Sequence, residues 1–144
     1  MSMQKIIIAF FLLGSLASCN QSKNPELIKH VINTTFDKAD SKVKIDPVVV
    51  AEPYAVAGWV QGEKAGRALL KLENGKWQLL ACGGKGMKTA TALMQQGVPE
   101  NIAAELEKQL SATETDISNN RVEAFDNFGP NVTFNDSNSH QHQK

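Results

Sequence analysis

The chain has 144 residues, and its 15 Lys plus Arg are balanced by 15 Asp plus Glu. Because it has no net charge and no basic block, neither nucleic acid nor an anionic lipid surface is expected as its main partner. The length suits one modest domain with a tether and a tail.

The N-terminus has the layout of an export signal. One cation, Lys5, precedes an unbroken apolar run, Ile6–Leu16, that closes in small residues. This run is shorter than the about 20 residues that cross a bilayer, so a resident membrane helix is not expected.

Cys19 follows the apolar run directly. The preceding residues, Leu16-Ala17-Ser18, resemble the bacterial lipobox, in which the signal is cut before a cysteine whose sulfur takes a diacylglycerol. The resemblance implies a lipoprotein signal over 1–18 and a lipidated N-terminus with a polar spacer over 19–24. Several acyl chains then anchor the protein to a membrane, since each buried methylene contributes about 0.8 kcal/mol. An ordinary signal with a chance cysteine is the alternative.

Position 20 is Asn rather than Asp. By resemblance to the sorting rule of Gram-negative lipoproteins, this favours the outer membrane over the inner. We therefore expect a protein on the periplasmic side of a bacterial envelope membrane.

Residues 25–134 are predicted to form a single α+β domain that begins with a helix. Asn24 can cap this helix, Pro25 suits its first turn, and Glu26 lies at the positive end of its dipole. The helix presents one apolar face, made of Leu27, Ile28, Val31, Ile32 and Phe36. This face should pack on a sheet.

The sheet is predicted from alternating and β-branched segments, namely KVKID, PVVV and YAVAGWV, followed by a hairpin, GRALLKLENGKWQLLACGG. Asn74-Gly75 favours a two-residue type I′ turn, because both central residues need positive φ. A regular ladder from this turn pairs Arg67 with Cys82. On that register one face is core, with Leu70, Leu72, Trp77, Leu79, Ala68 and Ala81, and the other is mixed, with Leu69, Lys71, Gln78, Leu80, Arg67 and Cys82.

Helical patterns follow the hairpin. The segments MKTATALMQQG, VPENIAAELEKQLSATETD and RVEAFDNF predict two or three helices, and NVTF predicts a short strand at one sheet edge. Residues 135–144 are polar and predicted to be disordered. The fold class is thus α+β, with an N-terminal helix packed on an antiparallel β-meander and C-terminal helices, comparable to cystatins in element order.

No pattern of an enzyme site is present. The chain lacks H-E-x-x-H and C-x-x-C, and its glycine-rich turn CGGKGMK lacks the Walker spacing. The protein is therefore expected not to be an enzyme.

Metal binding is the chemistry that the residues leave open. With the first cysteine lipidated, Cys82 is the remaining thiol, and it is buried and inert, paired with another molecule, or a soft ligand. Copper is the candidate cofactor, because thiolate and thioether suit Cu(I) and imidazole suits copper generally. The candidate ligands are Cys82, Met87, His140 and His142, with Arg67 beside Cys82 to stabilise its thiolate. The alternative is that Arg67 points to solvent and Cys82 packs in the core.

Three segments carry a resemblance to a known family. Asp46–Lys88, firmest over AVAGWVQGEKAGRALL and WQLLACGG, then Gly97–Pro99 and Phe125–Gly129 are similar to copper uptake system-associated proteins, which are small exported proteobacterial proteins. The resemblance implies a non-enzymatic periplasmic role in copper uptake or handling, with copper-handling envelope proteins as partners. It transfers no ligand set.

The expected function is a lipid-anchored accessory protein for copper handling. The alternative is a structural adapter that binds no metal and docks a membrane or envelope protein through its sheet face. The sequence leaves the oligomeric state open.

Overall fold

The computed structural model describes residues 23–134, which form an α+β domain as predicted. The expected lipoprotein signal, Cys19 and the tail with His140 and His142 lie outside these residues. The elements, in chain order, are α1 Pro25–Phe36, β1 Lys44–Ala51, β2 Tyr54–Gln61, β3 Lys64–Glu73, β4 Lys76–Gly83, a 3₁₀ turn Lys85–Met87, α2 Ala90–Gln95, α3 Glu100–Glu114, α4 Asn119–Asp126 and β5 Val132–Thr133.

Helix α1 begins as the sequence predicts. The Asn24 side chain accepts a hydrogen bond of 3.0 Å from the backbone N–H of Glu26, and Pro25 occupies the first turn. Ile28 and Ile32 are fully buried and Val31 and Phe36 pack against the same cluster, as predicted, whereas Leu27 is 42% exposed and lies outside this face.

The five strands form one antiparallel sheet in the order β1-β2-β3-β4-β5. The β3–β4 hairpin turns at Asn74 and Gly75, whose φ angles are +50° and +74°. The pairs Glu73–Lys76 and Leu72–Trp77 follow as predicted. The meander therefore results from local turns between consecutive strands.

The predicted register is wrong beyond Leu70. Leu79 pairs with Leu70 but Ala81 pairs with Leu69, so Leu80 is an extra residue in β4, a β-bulge. Every later residue of β4 is shifted by one position, which exchanges the two faces of the sheet. Ala81 therefore lies on the face expected for Cys82, and Cys82 on the face expected for Ala81.

Helices cover both faces of the sheet. Helix α1 packs on the face that carries Ala55, Ala68, Leu70 and Cys82, whereas α2 and α3 pack on the face that carries Val56, Leu69 and Ala81. Leu69, which the sequence placed on a mixed and partly wet face, is fully buried. An adapter that docks a partner would need a surface other than the face around Leu69.

The buried core lies within residues 28–125. A chain that lacks its first 19 residues therefore retains every buried core residue of the described part and is expected to fold by itself. Within residues 23–134, no helix is long and apolar enough to cross a membrane.

Candidate functional site

Cys82 lies near the end of β4, in the layer between the sheet and α1. The bulge at Leu80 places it opposite Ala68 in β3 and opposite Val132 in β5. Its side chain is only 2% exposed and packs in the cluster that contains Trp77 and Leu70. Cys82 is the free cysteine among the described residues, and it is a buried one.

Burial raises the pKa of the Cys82 thiol from 9.0 to about 12, and a weak interaction with the indole N–H of Trp59 lowers it to a smaller extent. The thiol is therefore protonated at neutral pH. A protonated thiol is a weak nucleophile, because the thiolate is the reactive form. A metal that uses this sulfur must first displace its proton.

Arg67 does not lie beside Cys82. It pairs with Gly83, so its side chain extends to the opposite face of the sheet from the thiol. The prediction that Arg67 stabilises the Cys82 thiolate is wrong, because the bulge at Leu80 separates the two side chains.

Arg67 is instead the centre of a buried ionic cluster. Its Nε and one terminal nitrogen donate to the two carboxylate oxygens of Glu114, at 2.7 and 3.0 Å. Its other terminal nitrogen donates to Asp126 Oδ1 at 2.7 Å and to the carbonyl of Gly84 at 3.1 Å. The guanidinium also lies over the Phe125 ring, 5.4 Å from its centroid.

This cluster joins three elements that are distant in sequence. Arg67 in β3 bonds Glu114 at the end of α3 and Asp126 at the end of α4. The Lys88 Nζ atom lies 3.5 Å from Glu114 Oε2 and 3.7 Å from Asp126 Oδ2. The bidentate geometry satisfies the arginine donors that burial would otherwise leave unpaired. All charges here face opposite charges, so we interpret the cluster as a clamp that holds the helices on the sheet.

Sequence reasoning missed Glu114 and Asp126. Glu114 carried a signal, because it continues the buried stripe of α3 at the spacing of Leu106 and Leu110. A carboxylate on such a stripe needs a buried cation as partner. Asp126 carried no comparable signal.

Met87 lies in the 3₁₀ turn and is fully buried. It packs in the cluster beneath α2 and α3, and a Cβ added to Gly83 would lie 3.1 Å from its Cγ. It is therefore on the face opposite Cys82, and the structure does not bring these two candidate ligands together. Within residues 23–134 no group of three His, Cys, Asp or Glu side chains is arranged to hold a metal ion.

The glycine-rich turn is a packing surface. A Cβ on Gly84 would lie 2.5 Å from the carbonyl oxygen of Asp126, and Cβ atoms on Gly83 and Gly86 would overlap the side chain of Asn131. The missing side chains let the end of α4 and the segment before β5 approach the turn closely.

Two concave regions flank the end of the sheet. One, of about 620 Å³, lies over the ionic cluster and is lined by Lys85, Lys88, Glu114, Glu123 and Asp126 among others. The second, here called the aromatic pocket, has a volume of about 360 Å³ and is lined by Thr35, Phe36, Asp37, Lys38, Trp59, Gln61, Lys64, Cys82, Phe128, Val132 and Phe134. Cys82 is thus buried from bulk solvent but lines the wall of the aromatic pocket.

Comparison of the chain with protein families, with curated proteins and with solved structures finds no match.

Proposed function

We propose that the protein is a non-enzymatic accessory protein for copper handling on the periplasmic side of a bacterial outer membrane, anchored by lipid at Cys19. The resemblance of Asp46–Lys88 to copper uptake system-associated proteins supports the copper role. In the structure this block comprises nearly all of the sheet and ends just after the 3₁₀ turn.

One observation favours copper contact at Cys82. Its partner in β5 is Val132, and the chain continues from there toward His140 and His142. Five residues lie between Phe134 and His140, and the six residue steps that this makes span at most about 21 Å when extended. The tail is therefore long enough to bring both imidazoles to the mouth of the aromatic pocket.

A thiolate with two imidazoles is a suitable ligand set for copper. Met87 is not part of this set, because it packs on the other side of the sheet. Since the pKa of Cys82 is raised to about 12, copper binding must release the thiol proton. The affinity for Cu(I) should therefore rise about tenfold per pH unit between pH 7.5 and 9 through release of this thiol proton.

The test is an anaerobic Cu(I) titration of residues 20–144, compared with Cys82→Ala, with His140→Ala/His142→Ala and with Met87→Leu. We expect one Cu(I) per chain, at least tenfold weaker binding in the first two variants, and unchanged binding in Met87→Leu. Cys82→Ala should also remove the dependence on pH. The proposed site is refuted if Cys82→Ala binds as the unmodified chain does. If the unmodified chain itself does not bind copper, direct binding is refuted and the copper link must run through a partner.

The lipid anchor has a separate test. Cys19→Ser should abolish incorporation of labelled palmitate in a Gram-negative host, because the acceptor sulfur is gone. Cys82→Ala is the matched control and should leave the label unchanged. Equal labelling of the Cys19→Ser variant would show that this residue is not the acylated one.

A further inference from the structure

The aromatic pocket has walls made of aromatic rings that contact one another. The Phe36 and Trp59 rings stack with centroids 6.4 Å apart, and Trp59 meets Phe128 edge to face at 5.8 Å. Phe134 closes the side next to β5, 5.8 Å from Phe36. Its volume of about 360 Å³ lies within the range of small-molecule sites.

Gly66 provides the space for two of these rings. A Cβ at this position would lie 2.7 Å from Phe128 Cδ2 and 3.1 Å from Trp59 Cζ2. The rings therefore lie directly on the backbone of β3, and the cavity beside them is formed by elements from both ends of the domain.

The pocket wall contains a hydrogen-bond donor with only a weak acceptor beside it. Trp59 Nε1 is buried and makes no hydrogen bond of standard geometry to a described residue, and its weak interaction is with the Cys82 thiol, whose pKa it lowers. Because a thiol sulfur is a weak acceptor, an anionic oxygen supplied by a ligand is a stronger partner for this N–H.

The rim of the pocket is cationic. Within residues 23–134, neither Lys38 nor Lys64 forms an ion pair. The nearby Asp37 does not neutralise them, because its carboxylate accepts from the backbone N–H of Val43 at 2.7 Å and lies 3.9 Å from Lys42. Two flexible ammonium groups are thus available to an anion that enters the pocket.

We propose that the aromatic pocket binds a small aromatic anion, a carboxylate or sulfonate of one or two rings. The ligand ring packs against Phe36, Trp59 and Phe128, and an anionic oxygen accepts from Trp59 Nε1 while Lys38 and Lys64 balance its charge. None of these contacts uses a metal, but Cys82 of the proposed copper site lines the same pocket, so copper and the anion would compete for it.

The test uses two fluorescent probes with the same rings. 1-Anilinonaphthalene-8-sulfonate carries an anionic group, and N-phenyl-1-naphthylamine is its uncharged counterpart. Residues 20–144 are titrated with each probe in the presence of a copper chelator, so that failure of the copper proposal does not affect the result.

We expect saturable binding of the sulfonate at one site. Lys38→Gln/Lys64→Gln should weaken sulfonate binding about tenfold but change binding of the uncharged probe less than twofold. Lys76→Gln/Lys108→Gln is the matched control, because it removes two exposed lysines outside the pocket. Trp59→Phe keeps a ring but removes the donor, and it should weaken sulfonate binding about fivefold.

Val132→Trp locates the site. Val132 lines the pocket and is 47% exposed, so a larger side chain can fill the cavity without disturbing the core. It should abolish binding of both probes while the unfolding midpoint is retained. The proposal is overturned if the unmodified chain does not bind the sulfonate or if Val132→Trp still binds it. It is also overturned if Lys76→Gln/Lys108→Gln weakens sulfonate binding as much as Lys38→Gln/Lys64→Gln does.

Discussion

Cys82 shows how one inserted residue changes the chemistry of a side chain. With a regular ladder it would face Arg67, and a neighbouring cation would favour its thiolate. The bulge at Leu80 moves it to the α1 face, where burial raises its pKa to about 12. The sequence left open whether Cys82 is a packed or an activated thiol, and in the structure it is packed, with a raised pKa.

The Cys82 pKa predicts a loss of stability at high pH. The folded-state pKa lies above the unfolded value of 9.0, so the stabilisation is complete below pH 9 and is lost as the pH rises toward about 12. In that window the free energy of unfolding should fall by about 1.4 kcal/mol per pH unit through this group. Urea unfolding of the unmodified chain and of Cys82→Ala at several pH values measures this contribution. The other titrating groups are common to both proteins, so they cancel when the two free energies of unfolding are subtracted. Parallel curves for the two proteins would contradict the prediction.

Arg67→Met should be strongly destabilising, because it leaves the carboxylate of Glu114 buried without its cation. We expect a loss of about 3–5 kcal/mol in the free energy of unfolding, as for other broken buried ion pairs. Arg121→Met is the control: that side chain is 30% exposed and lies 3.7 Å from Asp46, so its ion pair should contribute less than about 1 kcal/mol.

The double variant Arg67→Met/Glu114→Met separates charge from packing. Removing both charges should recover part of the stability, since no unpaired carboxylate remains at Glu114 and the 19% exposed Asp126 can be hydrated. Chemical denaturation of the four proteins in this cycle gives the coupling energy. Additive losses would show that the two side chains do not act as a pair.

At the scale of elements, the strongest predictions came from local signals. The cap of α1, the turn at Asn74-Gly75 and the apolar stripes of the helices each depend on residues within a few positions of one another. Such signals define where an element begins and ends, and the structure confirms them. The bulge at Leu80 has no comparable local signal, because it depends on how β4 fits its neighbours.

The glycine-rich turn gives a prediction at the same scale. Gly84→Ala should lower the free energy of unfolding by about 1–3 kcal/mol, because its Cβ would meet the backbone carbonyls of Phe125 and Asp126. Backbone atoms cannot rotate away from such a contact, as a flexible side chain could. Gly75→Ala is the comparison: nothing lies near its Cβ, but its φ of +74° should cost about 1 kcal/mol.

The two glycine variants differ further in where they act. Hydrogen exchange should increase in α4 for Gly84→Ala and around the β3–β4 turn for Gly75→Ala. The packing interpretation of the turn fails if Gly84→Ala leaves the exchange of α4 unchanged.

At the scale of the whole molecule, the last elements close the fold. α4 completes the ionic cluster through Asp126, and the segment from Asn131 to Phe134 packs on the glycine-rich turn and on Phe36. The last quarter of the domain therefore contributes contacts on both faces of the sheet, to the ionic cluster on one face and to the aromatic rings on the other.

This arrangement predicts different effects of two truncations. Removing residues 135–144 should change the free energy of unfolding by less than about 0.5 kcal/mol, as for a tail that the sequence predicts to be disordered. Removing residues 131–144 takes away β5, Asn131 and Phe134, and it should cost about 2–4 kcal/mol through lost packing and strand pairing. Urea unfolding measures both, and a large loss in the shorter truncation would show that the tail packs on the domain.

The sequence by itself determined the class of fold, the order of the elements and the turn of the central hairpin, because each follows from spacing within a short segment. Only the tertiary structure decided the register beyond Leu70, the face on which Cys82 lies and the partners of Arg67. Glu114 and Asp126 are 47 and 59 residues from Arg67 in the chain. Such pairings depend on how helices settle on a sheet, and no local pattern encodes them.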